Sequence, residues 1–292
     1  MLSTPRPFLP RGLAFLLAAA SLLVAGGCAG RPEAPILEKT GSRTAAETAL
    51  RLAALLPADV LLIGEQHDAK EHHQIEQQVV SSLAARGLLA AVALEMAEVG
   101  ASTAKLKPSA TEEQTRRALK WDDKAWPWPA YESAVMTAVR AGVPVLGANL
   151  PRAQMPDSMD DSKLDMQLPG PALKAQQQAI RIGHCNLLPE NQVTPMTRIQ
   201  IAKDITMADT IHQLVFPGKT VVLLAGNGHA DRTLGVPRHL RADLNAKSIH
   251  LRAGDALGTD RADAFDSVWA TPALPDTDYC AGLKEQLATP AQ

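Results

Sequence analysis

The sequence predicts an α/β domain, a mixed, mostly parallel sheet with helices on both faces and an inserted helical lobe. Three observations carry this. Short, continuous apolar runs recur (VLLI at 60–63, AVAL within 90–94, TVVLLA at 220–225), as in strands buried on both faces. Segments of helical period separate them. Repeated strand-then-helix order favours parallel pairing through right-handed crossovers.

The elements follow in order. Residues 44–56 read as a helix with Leu52, Leu55 and Leu56 on one face, broken by Pro57-Ala58-Asp59. The strand at 60–63 follows. Residues 70–86 carry Ile75, Val79 and Leu83 on one face and end at Gly87. A strand at 90–94 completes a βαβ unit. Residues 100–130 are less regular and read as the inserted lobe, with acidic residues opening a short helix at 111–113. A helix over 131–141 feeds a strand over 143–147, and 152–171 reads as loop. Helices are expected over 172–182 and 196–215, and strands over 220–225, 247–251 and 267–269.

The first 27 residues are set apart. Arg6 and Arg11 precede an apolar run of signal-peptide length at 13–24, which ends in Ala25-Gly26-Gly27-Cys28. Small residues before a cysteine at that place resemble the lipobox of bacterial lipoproteins, in which the cysteine is acylated and becomes the N-terminus. The expected organisation is a signal peptide (1–27), a tether (28–43) and one domain (44–292) anchored to the membrane through lipid on Cys28. No later segment is long and apolar enough to cross a bilayer. From Cys28 onward the chain holds 27 basic and 31 acidic residues, a formal charge of −4, which offers no footprint for nucleic acid. The two remaining cysteines, Cys185 and Cys280, read as a disulfide in an oxidising compartment. A thiolate ligand beside His184 is the competing reading.

Polar residues collect where the strands end: Glu65 and His67 after the first, Glu95 after the second, Asn149 and Arg152 after the third, Asn227 and His229 after the fourth. In open α/β sheets ligands bind beyond the carboxyl ends of the strands. Two corners repeat one pattern, an apolar strand followed by Gly-x-x-His, at 64–67 and 226–229. His72 lies three and seven residues before Ile75 and Val79, so it should face the packed side near the same edge. Imidazoles and carboxylates together suit Zn, Mn, Fe or a haem iron. His67, His229, Glu65 and Glu95 are the candidate metal set. A lone histidine after a strand is more often a hydrogen-bonded core residue, and Glu95 could instead pair with Arg152. His73 reads as a solvated or capping residue. His184 could join the pocket or cap the helix before it. The segment 121–131 contains Trp121, Trp126, Trp128 and Tyr131, half of the aromatics after Cys28. It reads either as a loop packed on the core or as a flat wall for a planar ligand, with Trp128 and Tyr131 as lining. Tyr131 or Tyr279 could offer a phenolate to iron.

GEQHD-x3-HH, ALEM, WPWPAYESAV, GANLPR, GHCNLLP, MADTI and GNGHADRTLGVP occur in this order. Together they resemble the ChaN-like haem-binding lipoproteins of the superfamily that includes Tiki, TraB and erythromycin-esterase-like proteins. The likeness spans roughly 57–271. It implies haem as cofactor, a role in iron uptake at the outer membrane facing the periplasm, and an outer-membrane haem receptor as partner. It also implies pairing of haem pockets across a homodimer and, by the Tiki branch, a divalent metal at His67 and His229. The main expectation is therefore a non-catalytic haem-binding protein, with no catalytic residue assigned. The alternative is a metal-dependent hydrolase, a peptidase or esterase. The chain lacks H-E-x-x-H and G-x-S-x-G, which argues against common zinc peptidases and a serine nucleophile.

Overall fold

The first strand shows how its residues are sorted. Leu61 and Ile63 pack into one apolar cluster and Val60 and Leu62 into another on the opposite face. Alternation along a strand sends successive side chains to opposite sides, so a run that is apolar at every position needs cover on both.

The computed structural model describes residues 40–254 and 262–288. The expected signal peptide, Cys28 and the tether up to residue 39 lie outside the described residues. In chain order the elements are α1 (Thr40–Ala53), β1 (Val60–Glu65), α2 (Lys70–Ala85), β2 (Leu89–Glu98), α3 (Glu112–Ala118) and α4 (Trp128–Arg140). Then come β3 (Val145–Asn149), α5 (Met155–Asp160), α6 (Gly170–Gly183), α7 (Glu190–Leu214), β4 (Thr220–Gly226), α8 (Asn227–Ala230), β5 (Ala246–Ala253), β6 (Ser267–Thr271) and α9 (Tyr279–Ala288). The described residues form one compact unit.

The strands form one sheet in the order β3-β2-β4-β1-β5-β6, and every pairing between them is parallel. The expected mixture reduces to an isolated antiparallel bridge between Ser102 and Leu146. Residues from α2 and α4 (Ile75, Val79, Leu83, Ala134, Val135) cover one face of the sheet with Leu52 of α1. Met207, Ala208 and Ile211 of α7 cover the other. Among the described residues no helix is long and apolar enough to cross a membrane.

Several boundaries differ from expectation. The stretch 152–171 is not plain loop: it contains α5 and 3₁₀ turns at Arg152–Gln154 and Ser162–Met166. Pro156 in the first turn of α5 supplies a fixed φ, and the Asp161 side chain accepts the Lys163 N–H at the second turn. Helix α7 begins at Glu190 and runs through Pro195, six residues before the expected start. Proline normally reads as a start because it cannot donate to the preceding turn. Residues 100–130 hold α3, closed by a reciprocal capping box between Thr111 and Gln114. This region packs Leu119, Trp121 and Trp126 onto the α2/α4 side of the core.

Candidate functional site

Because all strands run the same way, the carboxyl ends of β3, β2, β4 and β1 stand side by side along one edge. Two carboxylates flank that edge from opposite faces. Glu65 continues the Leu61–Ile63 alternation toward α2 and α4, where the Tyr131 hydroxyl donates to its Oε1 at 2.8 Å and His73 Nε2 stands 3.0 Å from Oε2. Glu95 is in the alternate phase to Leu94 and Met96 and faces α7. Its Oε2 accepts the Gly226 N–H at 2.8 Å, and Oε1 lies 3.3 Å from Nε2 of His229.

His67 joins the two sides. Its Nδ1 is 2.7 Å from Glu65 Oε1 and its Nε2 is 3.8 Å from Glu95 Oε2. The ring passes over β4 at Gly226, where a Cβ would stand 2.9 Å from Nε2. Gly64, on the neighbouring strand, makes the reciprocal space: a Cβ there would meet Asn227 Oδ1 at 2.8 Å and Ala230 Cβ at 2.9 Å. The two Gly-x-x-His corners thus interlock on adjacent strands. The edge of the Trp126 ring system meets His67 with centroids 4.8 Å apart. The His67 side chain is 38% exposed, whereas Glu65 and His229 are buried.

Charge is distributed unevenly across the cluster. Burial raises the Glu65 pKa, but His67 and His73 outweigh it and hold the carboxyl at about 2. Burial likewise opposes ionisation of Glu95, yet His229 and His67 keep it charged, well below the usual range. His229 would be lowered by burial; Glu95 and then Asp204, whose Oδ1 is 2.5 Å from Nδ1, raise it to about 10. Asp204, wholly buried on α7, is pushed up to about 6 by burial. On the other face Glu76 of α2 is wholly buried and held neutral, first by desolvation and then by the charge of Glu65.

The expected site residues separate into groups. Glu65, His67, Glu95 and His229 converge as described, and the Asn149 amide donates to the Glu95 carbonyl at 2.8 Å. Arg152 borders the crevice but is not the partner of Glu95; its backbone N–H donates to Glu98 Oε1 at 2.9 Å. His72 belongs to the packing instead. Its Nδ1 accepts the Gln66 N–H at 3.0 Å and its Nε2 pairs with the Thr271 hydroxyl at 3.0 Å, while burial lowers its pKa to about 4. The adjacent His73, expected to be solvated, takes the place beside Glu65. Asn227 turns away, its amide donating to the Leu251 carbonyl at 3.4 Å. His184 donates from Nδ1 to the Ile180 carbonyl at 2.8 Å and so caps α6, next to a disulfide that joins Cys185 and Cys280. Trp128 is buried edge-on against Trp121, and Trp126 is the tryptophan at the crevice. The Tyr131 phenol is raised above its ordinary value by burial and by Glu65, so it serves as a donor and not as a phenolate. Tyr279 is exposed and its hydroxyl donates to Asp68 at 2.5 Å.

Asp204, Gln200 and Glu76 carry no signal of their place in the amino-acid sequence, and His73 reads there as solvated or capping. Asp204 and Gln200 sit among polar residues of a long helix, and only the approach of α7 to β4 brings them to His229. Glu76 lies among Glu71, Gln74, Gln77 and Gln78, which read as a solvated face.

The fold and site define a class: a parallel α/β domain with a histidine–carboxylate cluster at the carboxyl edge of its sheet and a crevice beside it. The chain belongs to the haem-binding uptake, Tiki superfamily, ChaN family, whose profile matches residues 51–240. It is similar to ChaN of Campylobacter jejuni, whose structure is described as showing cofacial heme binding. The two are 28% identical with a TM-score of 0.60 over 70% of this chain and 86% of that one. The type III effector HopBA1 shares the fold at 15% identity, with a TM-score of 0.51 over 77% of this chain and 92% of that one. No curated protein matches the chain in sequence.

Proposed function

We propose that this protein binds haem at the bacterial cell envelope and serves haem or iron uptake. It would be held by lipid on Cys28 at the outer membrane, facing the periplasm. The observation that carries haem binding is His67: an imidazole 38% exposed, in an otherwise buried polar cluster, packed against Trp126, which lines a partly apolar crevice. The Trp126 indole, apolar lining from Met96, Val99, Leu150 and Met155, and the imidazole of His67 beside Trp126 fit an iron porphyrin. Bound haem would supply the iron centre; the chain's residues orient the ring, keep Glu65 and Glu95 charged behind it and hold the His67 tautomer through Glu65.

The donor set does not fit a divalent ion in the same way. Both nitrogens of His229 are engaged, by Asp204 and Glu95, and among the described residues no group of three such side chains is arranged to hold a metal ion. Metal ligation by His229 would use one nitrogen: Nε2 would leave Glu95 while Nδ1 kept Asp204. A homodimer and an outer-membrane haem receptor are the proposed partners.

The test is a haemin titration of the full chain followed in the Soret band, with His67→Ala alongside. Saturable binding that weakens at least tenfold in the variant supports haem at this crevice. Saturable binding unchanged in the variant moves haem elsewhere, and no saturable change overturns haem binding. Lipid anchoring is tested separately, by whether Cys28→Ala moves the protein from the membrane fraction to the soluble one.

A further inference from the structure

The two borders of the sheet differ. At β3 the edge is closed: the Thr103 N–H donates to the Val145 carbonyl at 2.9 Å, and the Gly147 N–H to the Ala101 carbonyl at 3.0 Å. At β6 it is open. The strand order ends there, and among the described residues no backbone group bonds to β6 from its outer side. The Thr271 carbonyl accepts the Gly254 N–H at 2.9 Å, so Thr271, Trp269 and Ser267 turn their backbone groups to β5. Alternation turns those of Val268 and Ala270 outward. An exposed edge invites pairing with another chain, and proteins blunt such edges with charge, proline, bulges or a covering segment. β6 reads Ser-Val-Trp-Ala-Thr and pairs with β5 without a bulge; it has no charge and no proline, and Val, Trp and Thr favour strands. Helix α1 lies over it, with the Arg51 guanidinium 6.0 Å from the centre of the Trp269 ring. The outward face of α1 is apolar: Ala46, Ala49, Leu50 and Ala53 are exposed, Leu50 by 75%.

We infer that β6 pairs with β6 of a second copy of this chain, antiparallel about a two-fold axis at Trp269. A two-fold contact needs a self-complementary surface, and this strand supplies one. Centred on Trp269, Val268 stands opposite the partner subunit's Ala270, and Ser267 opposite the partner subunit's Thr271. Apolar meets apolar and hydroxyl meets hydroxyl, both favourable cross-strand pairs. The register also fits the backbone. Facing residues of an antiparallel ladder alternate between pairs that exchange both N–H···O bonds and pairs that exchange none. Val268 and Ala270 hold the outward groups, so they make the bonded pairs. Trp269, whose groups are spent on β5, falls at the non-bonded pair between them. The joined sheet runs through both copies, with α1 of each on the same side of the joint. β5 separates this border from β1, β4 and β2, which carry the histidine–carboxylate cluster, and the crevice lies beyond them. The contact therefore needs no haem, leaves the crevice open and does not rest on the haem binding proposed above.

The experiment weighs haem-free protein at micromolar concentration. The full chain carrying Cys28→Ala is run in sedimentation equilibrium beside the same chain with Ala270→Pro. The first is expected at twice the mass of one copy. The second is expected at the mass of one copy, because proline removes an outward N–H and leaves the ladder to β5 intact. A further variant stands in if the proline chain fails to fold. In the Cys28→Ala chain Cys185 and Cys280 are spent in their disulfide, so Ala270→Cys adds the one free thiol. That thiol and its counterpart are diagonal neighbours in the register above, about 7–8 Å apart, within reach of a short bis-maleimide. A cross-linked dimer is expected from Ala270→Cys and none from Glu113→Cys, an exposed position on α3. A Cys28→Ala chain with the mass of one copy overturns the inference. So does a folded Ala270→Pro chain that stays dimeric, an Ala270→Cys chain that does not cross-link, or a dimer that forms only once haemin is added. Haemin binding is titrated separately and stands or falls independently of these masses.

Discussion

Glu65 and Glu95 point to opposite faces of the sheet, yet the ring of His67 reaches both, at 2.7 Å and 3.8 Å. The strand between them, β4, lets the ring pass because residue 226 has no side chain. Its backbone N–H in turn anchors Glu95. The half of the cluster packed under α2 and α4 and the half packed under α7 are therefore joined by one side chain over one glycine.

Substituting that glycine should displace His67 without unfolding the protein. In Gly226→Ala the new Cβ meets the far end of a half-exposed side chain, which can swing outward. Stability should fall by no more than about 1 kcal/mol, while haemin affinity falls as it does for His67→Ala. Gly147→Ala should behave oppositely, because its Cβ would stand 2.1 Å from the Glu98 carbonyl oxygen, a backbone atom. A loss of about 1–3 kcal/mol or more in urea unfolding is expected there. Equal unfolding midpoints for the two variants would refute this distinction.

Removing Asp204 should expose the cost of the buried charges behind the crevice. Asp204→Ala leaves the His229 imidazolium short of one partner, and breaking a buried pair costs about 3–5 kcal/mol. Asp204→Asn keeps a hydrogen-bonding oxygen but removes the charge. It should cost less and lower the His229 pKa from about 10, as followed by NMR titration of the ring. An unshifted His229 in Asp204→Asn would count against the assigned pairing.

The acid side of the stability profile should carry a signature of His72. Its folded pKa is lowered to about 4 from an ordinary 6.5, so the unfolded chain takes up the proton first. Stability is then present in full above pH 6.5 and is lost as pH falls toward 4, by about 3 kcal/mol at most. His72→Gln should flatten this limb between pH 6.5 and 4 while leaving the loss below pH 4 in place. Carboxylates such as Glu65, lowered to about 2, account for that lower limb. An unchanged slope in the variant would remove His72 as its source.

The Cys185–Cys280 bond joins positions 95 residues apart and holds Tyr279 beside Asp68 and Gln66, next to His67. Reductant should lower the stability of wild type by about 2–4 kcal/mol and leave Cys280→Ser unaffected. Fluorescence of Trp126 and the other tryptophans, followed during reduction, reports whether the neighbouring crevice is disturbed.

The order of the six strands and of most helices, though not α5, α8 or α9, was legible in the chain, as were the buried character of the strands and the strand-end positions of Glu65, His67, Glu95, Asn149 and His229. These are local properties: apolar runs, helical period, and a Gly-x-x-His pattern that marks each corner. Tertiary structure alone decided that β4 lies between β1 and β2, which sets the two corners side by side with Gly226 under His67. It also decided between His72 and His73. Both open the same helix, and only the positions of Thr271 and of Glu65 with Tyr131 show which one is satisfied in the packing and which one faces the cluster. Asp204 and Glu76 were illegible for the same reason. A carboxylate on a mostly polar helix looks solvated until the helix is packed, because burial and its charge partners come from segments far away in the chain.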